Sequence, residues 1–150
     1  MKLRIPPPVL MVVTGVVMWV AARSPFDLTI MVPFAVHLSR LFMVLGAAVA
    51  LIAAWQFTRA KTTIDPFHPE RSSRLVSHGI FAVSRNPMYL GMALVLGGLV
   101  VRLGSVIAGA LLIVFVLIIT QFQIKPEEKA LTALFGNAYR RYCEHVRRWI

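Results

Sequence analysis

Four apolar runs, divided by basic or proline-bearing connections, limit this chain more than any other feature. They cover about 6–22, 41–58, 87–101 and 106–124. A helical bilayer crossing takes about 20 mostly apolar residues, and hydrocarbon accepts only backbone that satisfies its own hydrogen bonds. The expectation is an all-α fold, a polytopic membrane helical bundle of about four transmembrane helices, with a C-terminal amphipathic helix over 126–150. At 150 residues, 58% hydrophobic and only 15% charged, the chain departs from soluble-domain composition and leaves no room for a second domain.

The first run follows Pro6-Pro7-Pro8. No small-x-small cleavage site precedes Arg23-Ser24-Pro25, so it reads as a retained span, not a signal peptide. Ser24 to Ser39, with Pro25, Asp27 and Pro33, is expected to form a turn and then a short interfacial or oblique helix. The second run carries small residues at Gly46-Ala47-Ala48 and Ala53-Ala54, where helices can approach closely. The connection over 59–86 has too many prolines for one helix. Its interleaved Ile64, Phe67, Leu75, Val76, Ile80 and Phe81 imply packing, and a packed long loop implies function. Arg102-Leu103-Gly104-Ser105 turns the third and fourth runs into a hairpin.

Thirteen of the 16 lysines and arginines fall before Pro6, within 59–85 or in the tail; only Arg23, Arg40 and Arg102 lie in the opposite connections. That bias predicts cytoplasmic termini. It also explains the net charge of +10 without nucleic acid as a partner. Cys143, the lone cysteine, permits neither an internal disulfide nor a multi-cysteine zinc site, and no metal is expected.

Two polar stretches flank the hairpin on the cytoplasmic side. One is Arg85-Asn86-Pro87-Met88-Tyr89-Leu90-Gly91, approached through Ser73, Leu75, Val76 and Gly79. The other is Lys125-Pro126-Glu127-Glu128, holding two of only six acidic residues. Taken alone, the second is a helix start with proline at its first position and carboxylates on the dipole's positive end. Arg85 taken alone is a positive-inside anchor, Tyr89 a member of the aromatic belt, and His78 an exposed loop histidine. Taken together, the stretches read as two halves of a polar cofactor site at the membrane surface. The glycines and alanine of the third run, Gly91, Ala93, Gly97 and Gly98, either pack against a helix or leave room for a lipid tail.

Leu75-Val76-Ser77-His78-Gly79-Ile80-Phe81, Arg85 to Gly91, Glu127-Glu128, Leu131, Phe135-Gly136, Tyr139, Tyr142 and Val146-Arg147-Arg148 together resemble the isoprenylcysteine carboxyl methyltransferase family, over about 63–150. The resemblance implies an integral membrane enzyme with S-adenosylmethionine as cofactor and no soluble Rossmann-type fold. It places Ser73, Arg74, Leu75, Val76, Phe81, Asn86, Pro87, Met88, Tyr89 and Glu127 around the cofactor. Two positions depart from the family pattern. Asn86 replaces a usual histidine and keeps hydrogen bonding without an ionisable ring. Gln123 stands where prenylcysteine-specific members carry an arginine, so a carboxylate substrate loses its cationic partner there.

A sulfonium methyl needs alignment and dryness more than a nucleophile or metal. Gln123 is therefore the substrate-side candidate, and Glu128 or His78 the base if the acceptor is an amine. The acceptor is expected to be lipophilic, entering from the bilayer. Two other readings remain open at this point: a sterol-reductase-like NADPH enzyme, and a small membrane transporter or scaffold. The first lacks a tryptophan-rich tail here, and the second lacks an acidic residue within a span.

Overall fold

A computed structural model describes residues 5–59 and 75–150. Six α-helices follow in order: α1 Pro7–Ala21, α2 Ala35–Arg59, α3 Pro87–Leu103, α4 Val106–Ile119, α5 Lys125–Phe135 and α6 Asn137–His145. A 3-10 turn, Gly79–Ala82, precedes α3. Extended pairing among the described residues is limited to one isolated antiparallel bridge, Thr29 with Ser105. The all-helical expectation therefore holds.

By length and apolarity, α2 and the continuous stretch Val106–Phe135 can each cross a membrane. Pro7–Ala21 and Pro87–Leu103 are equally apolar in character but shorter, at 15 and 17 residues. At 1.5 Å per residue these two reach about 23 and 26 Å, against a hydrocarbon core of about 30 Å.

Helices α2 and α3 touch backbone to backbone. A Cβ on Gly46 would lie 2.5 Å from the Gly91 carbonyl oxygen, and one on Gly91 would lie 2.5 Å from the Gly46 carbonyl oxygen. Two turns further along α3, a Cβ on Gly98 would sit 2.8 Å from the Ser39 carbonyl oxygen. Gly91 and Gly98 are thus filled by α2 and leave no space for a lipid tail. Since lipid is as apolar as leucine, such close van der Waals fit is what holds helices together in a bilayer. On its other flank, α3 meets α1 and α4 around Met18, Leu96, Ala108, Phe115 and Ile119.

Three expectations are corrected. Residues 35–39 are not a separate interfacial helix: α2 begins at Ala35 and runs unbroken through Arg40, because nothing after Pro33 interrupts it. The tail is not one helix over 126–150. Gly136, at φ 52° and ψ −123°, ends α5, and Val146 turns extended after α6. Nor does a new helix start at Pro126. A π turn, Thr120–Ile124, joins α4 to α5 without a break, with the Lys125 amide donating to the Thr120 carbonyl. Proline lacks a donor and its ring strikes the carbonyl four residues back in an α-helix. Widening the preceding turn is how the helix passes through it.

Candidate functional site

The amino end of α3 starts at buried Pro87, in the first helical position. Asn86 precedes it, but its side chain does not cap the helix. Asn86 Nδ2 instead donates to the Arg148 carbonyl at 3.0 Å, while its amide donates to Ser84 Oγ at 3.1 Å. The Arg85 amide donates to the Arg147 carbonyl at 3.1 Å. The residues after α6 therefore pass as a strap across the start of α3.

Tyr89 lies within the first turn of α3 and reaches the tail directly. Its hydroxyl donates to Glu127 Oε1 at 2.6 Å, and Gln123 Nε2 donates to the same oxygen at 2.6 Å. Gln123 is 3% exposed. The π turn matters here, since one extra residue rotates all that follows by about 100°. It buries the neighbours Gln123 and Ile124 together and sets Gln123 one helical turn before Glu127. Both hydrogen bonds are made to a carboxylate, which makes them stronger than neutral ones.

Glu128 faces a different set of partners. Arg148 grips it through Nε to Oε1 at 3.0 Å and Nη2 to Oε2 at 2.7 Å, a two-pronged pairing. Arg85 Nη2 approaches Oε1 at 3.3 Å. Arg85 also donates to Cys143 Sγ on α6. The hydrogen bond to Glu128 raises the pKa of Arg148, so it stays cationic. Tyr142 donates to the Phe81 carbonyl at 2.6 Å, tying α6 to the 3-10 turn. Burial raises the pKa of both Tyr139 and Tyr142, with Cys143 and Glu128 adding to the rise at Tyr139. Both remain neutral phenols well past physiological pH.

Beside these polar groups lies a small apolar cluster. Val76, Phe81 and Ala53 are buried together, with Phe57, Ile80 and Met88 packed on them. The Phe57 and Phe81 rings meet edge to face, 4.8 Å between centroids. Gln56 Oε1 accepts from the Ile80 amide at 3.3 Å, which fixes the 3-10 turn to α2. Gly79 allows that turn by adopting φ 62°.

Of the sequence candidates, Tyr89, Glu127 and Gln123 converge on one oxygen, and Asn86 and Glu128 are linked through Arg148. Val76, Phe81 and Met88 share the apolar cluster, with Leu75 half-buried next to it in sequence and Pro87 buried at the start of α3. His78 is exposed, and its ring has no partner among the described residues. Ser73 and Arg74 lie outside the described residues. Sequence reasoning missed the pairing of Arg85 and Arg148 with Glu128, and the anchoring roles of Tyr142 and Cys143. The one available signal was acid scarcity: few carboxylates serve many arginines, so each is worth tracing. Among the described residues no three His, Cys, Asp or Glu side chains are grouped to hold a metal ion.

A family model described as phospholipid methyltransferase matches residues 34–138, well over half of the chain. The chain belongs to the phospholipid methyltransferase family. Over 63 residues, 42% of its length, it is 46% identical to an uncharacterised protein of Haemophilus influenzae, matched along that protein's whole length. It is 25% identical over 116 residues to proteins of Oryza sativa subsp. indica and subsp. japonica, each named a probable protein-S-isoprenylcysteine O-methyltransferase. That match covers 75% of this chain and 59% of each rice protein, so the chain spans about six-tenths of their length. No solved structure matches the chain. Membership in the phospholipid methyltransferase family, together with helices long and apolar enough to cross a membrane, supports a membrane methyltransferase.

Proposed function

We propose that this chain uses S-adenosylmethionine to methylate a lipophilic acceptor: an isoprenoid-linked carboxylate or thiol, or a phospholipid amine. The observation that carries the reading is the convergence of Tyr89 and Gln123 on Glu127, from either side of the α3–α4 hairpin. The donor set suits the cofactor. A carboxylate provides about four acceptor sites, so Glu127 can receive ammonium or hydroxyl donors of the ligand besides its protein partners. Half-buried Met88, backed by buried Val76 and Phe81, offers an apolar surface for a nucleobase beside it. When bound, S-adenosylmethionine supplies a methyl group already activated on sulfur. The chain's own residues then bind, orient and exclude water.

In this reading the 126–150 tail and the connection over 59–86 form one cytoplasmic cofactor face within a single membrane domain. Ser73, Arg74 and Leu75 remain proposed cofactor contacts, and Asn86 and Pro87 set the strap and the start of α3. Glu128, engaged at both oxygens by guanidinium groups, acts as the clamp between strap and helix. That leaves His78 as the titratable group for an amine acceptor. Four spans with both termini cytoplasmic remain the topology favoured by the lysine and arginine distribution. Gln123, uncharged and buried, favours an acceptor other than a free prenylcysteine carboxylate.

The test is ligand-dependent thermal stability of the purified protein in lipid nanodiscs. S-adenosylhomocysteine is expected to raise Tm, NADPH to leave it unchanged, and Glu127→Gln to remove the S-adenosylhomocysteine shift. A shift with NADPH alone would replace this reading with a reductase. Methyl transfer from labelled cofactor to total membrane lipids, with the product identified, then names the acceptor.

A further inference from the structure

At the end of the molecule opposite the candidate site, we propose that residues 24–34 insert into the lipid leaflet, with the acyl–headgroup boundary as their partner. The inference rests on the membrane reading of the chain but not on its cofactor or acceptor. Phe26 is 88% exposed, Met31 94% and Phe34 82%, with Leu28 and Ile30 exposed between them. No helix described here covers these side chains. In water, so dense a row of large apolar groups would be a liability.

Three features point to lipid and away from a protein occupant. First, the irregular backbone is prepared for a low dielectric. The Ile30 amide donates to the Gly104 carbonyl at 2.6 Å, the Val106 amide to the Leu28 carbonyl at 3.1 Å, the Asp27 amide to the Ser24 carbonyl at 3.1 Å, and the Ala35 amide to the Val32 carbonyl at 3.2 Å. Pairing of this kind lowers the cost of bringing non-helical chain to the acyl–headgroup boundary, where the remaining polar groups still reach water and headgroups. Second, the loop's only carboxylate is withdrawn from its outer face. Asp27 Oδ1 accepts from the Ile107 amide at 3.1 Å, and Asp27 Oδ2 is buried. Third, the exposed surface continues the apolar flanks of its neighbours: Val13, Val16 and Val20 on α1, and Leu41, Val44 and Leu45 on α2, are exposed as well. Arg23 stacks on Trp19 at 3.3 Å just before the loop, a cation and aromatic pair of the kind that sits at the interface.

The experiment places the photoreactive residue p-benzoylphenylalanine singly at Phe26, Met31 or Phe34, and at the helix positions Val13 and Val44 as bilayer references. The full chain is reconstituted in phosphatidylcholine nanodiscs, irradiated and weighed by intact mass. Phospholipid adducts at two or more loop positions, in yield within about threefold of the helix references, are the expected result. Adducts at Val13 and Val44 combined with chain-to-chain crosslinks or no adduct at the loop would overturn the proposal and leave the membrane reading standing. Absence of phospholipid adducts at all five positions would remove both. Three loop positions keep the test decisive if one substitution fails to fold.

Discussion

The two ends of α3 solve the same physical problem by different means. At its carboxyl end, Gly104 takes φ 60°, donates to the Val100 carbonyl at 2.9 Å and offers its own carbonyl to Ile30. Ser105 Oγ and Asp27 Oδ1 then accept the first amides of α4. That end is closed mostly by main chain, over an apolar loop. At its amino end, beside one main-chain bond from Arg85 to Arg147, α3 is held by side chains: Asn86 to the strap, Tyr89 to Glu127, Arg85 and Arg148 to Glu128. Main-chain bridges fix a shape once and have no charge to exchange. Side-chain networks built on carboxylates can rearrange around a charged ligand, and they occur at the end where the proposed cofactor would bind.

Substitutions can break this contrast. The largest expected effect is at the backbone-closed end and along the α2 seam. Gly91→Val puts side-chain atoms where the Gly46 carbonyl and Ala50 already sit. It should cost about 3 kcal/mol or more, on the scale of overpacked cores, and be visible as loss of monodisperse protein in detergent. Gly104→Val meets both the left-handed φ and the Ile30 carbonyl 2.5 Å from its Cβ, with an expected loss of about 2–3 kcal/mol read as a lower Tm.

At the site end, function should fall further than stability. Tyr89→Phe removes one hydrogen bond from Glu127 Oε1, which keeps its bond from Gln123, so the stability loss should be about 1 kcal/mol or less. S-adenosylhomocysteine affinity should drop roughly tenfold, about 1.4 kcal/mol, with the helical far-UV signal retained. Equal loss of Tm in Tyr89→Phe and Gly104→Val, with ligand affinity unchanged, would erase the distinction between the two ends. Arg148→Gln leaves Glu128 to Arg85 alone. Because Arg148 is about a third exposed, the expected stability loss is near 1 kcal/mol. It should rise in low salt and fade in high salt.

The smallest effect concerns pH. Tyr139 and Tyr142 have folded pKa values raised above their usual 10.0. Their contribution is therefore complete below pH 10 and is lost as pH rises beyond it, since only the unfolded phenols then ionise. Tm should be flat from neutral pH to about 9 and fall above 10, with a shallower fall in Tyr142→Phe. A decline beginning near neutrality would assign the pH dependence to other groups.

Much of this architecture was legible because apolar runs and charge bias are coarse signals that tertiary context rarely overrides. The meeting of Tyr89 and Glu127 was also accessible: Tyr89 opens one arm of a hairpin and Glu127 closely follows the other, so geometry alone brings them level. The π turn was not. Pro126 marks where a helix must start, stop or widen, and the sequence does not choose among the three. Residues 35–39 read as a separate interfacial helix because Pro25, Asp27 and Pro33 just before them, with His37 among them, look like an interface when read locally. The role of Arg148 stayed hidden for a different reason. In a chain with 16 basic residues, one that pairs with a carboxylate looks the same as one that merely marks the inner face. Gly136, by contrast, followed Phe135 with no Cβ and was readable as a break, although the tail was taken as continuous.

The glycine seam between α2 and α3 also restricts movement. Two helices whose main chains are in contact at Gly46 and Gly91, and again at Ser39 and Gly98, form in effect one stiff rail. A bulky acceptor arriving sideways has no means of wedging that rail apart. Any doorway for the proposed acceptor therefore belongs to the opposite flank of α3, where side chains such as Leu96, Leu99 and Phe115, rather than touching backbones, fill the space between the helices.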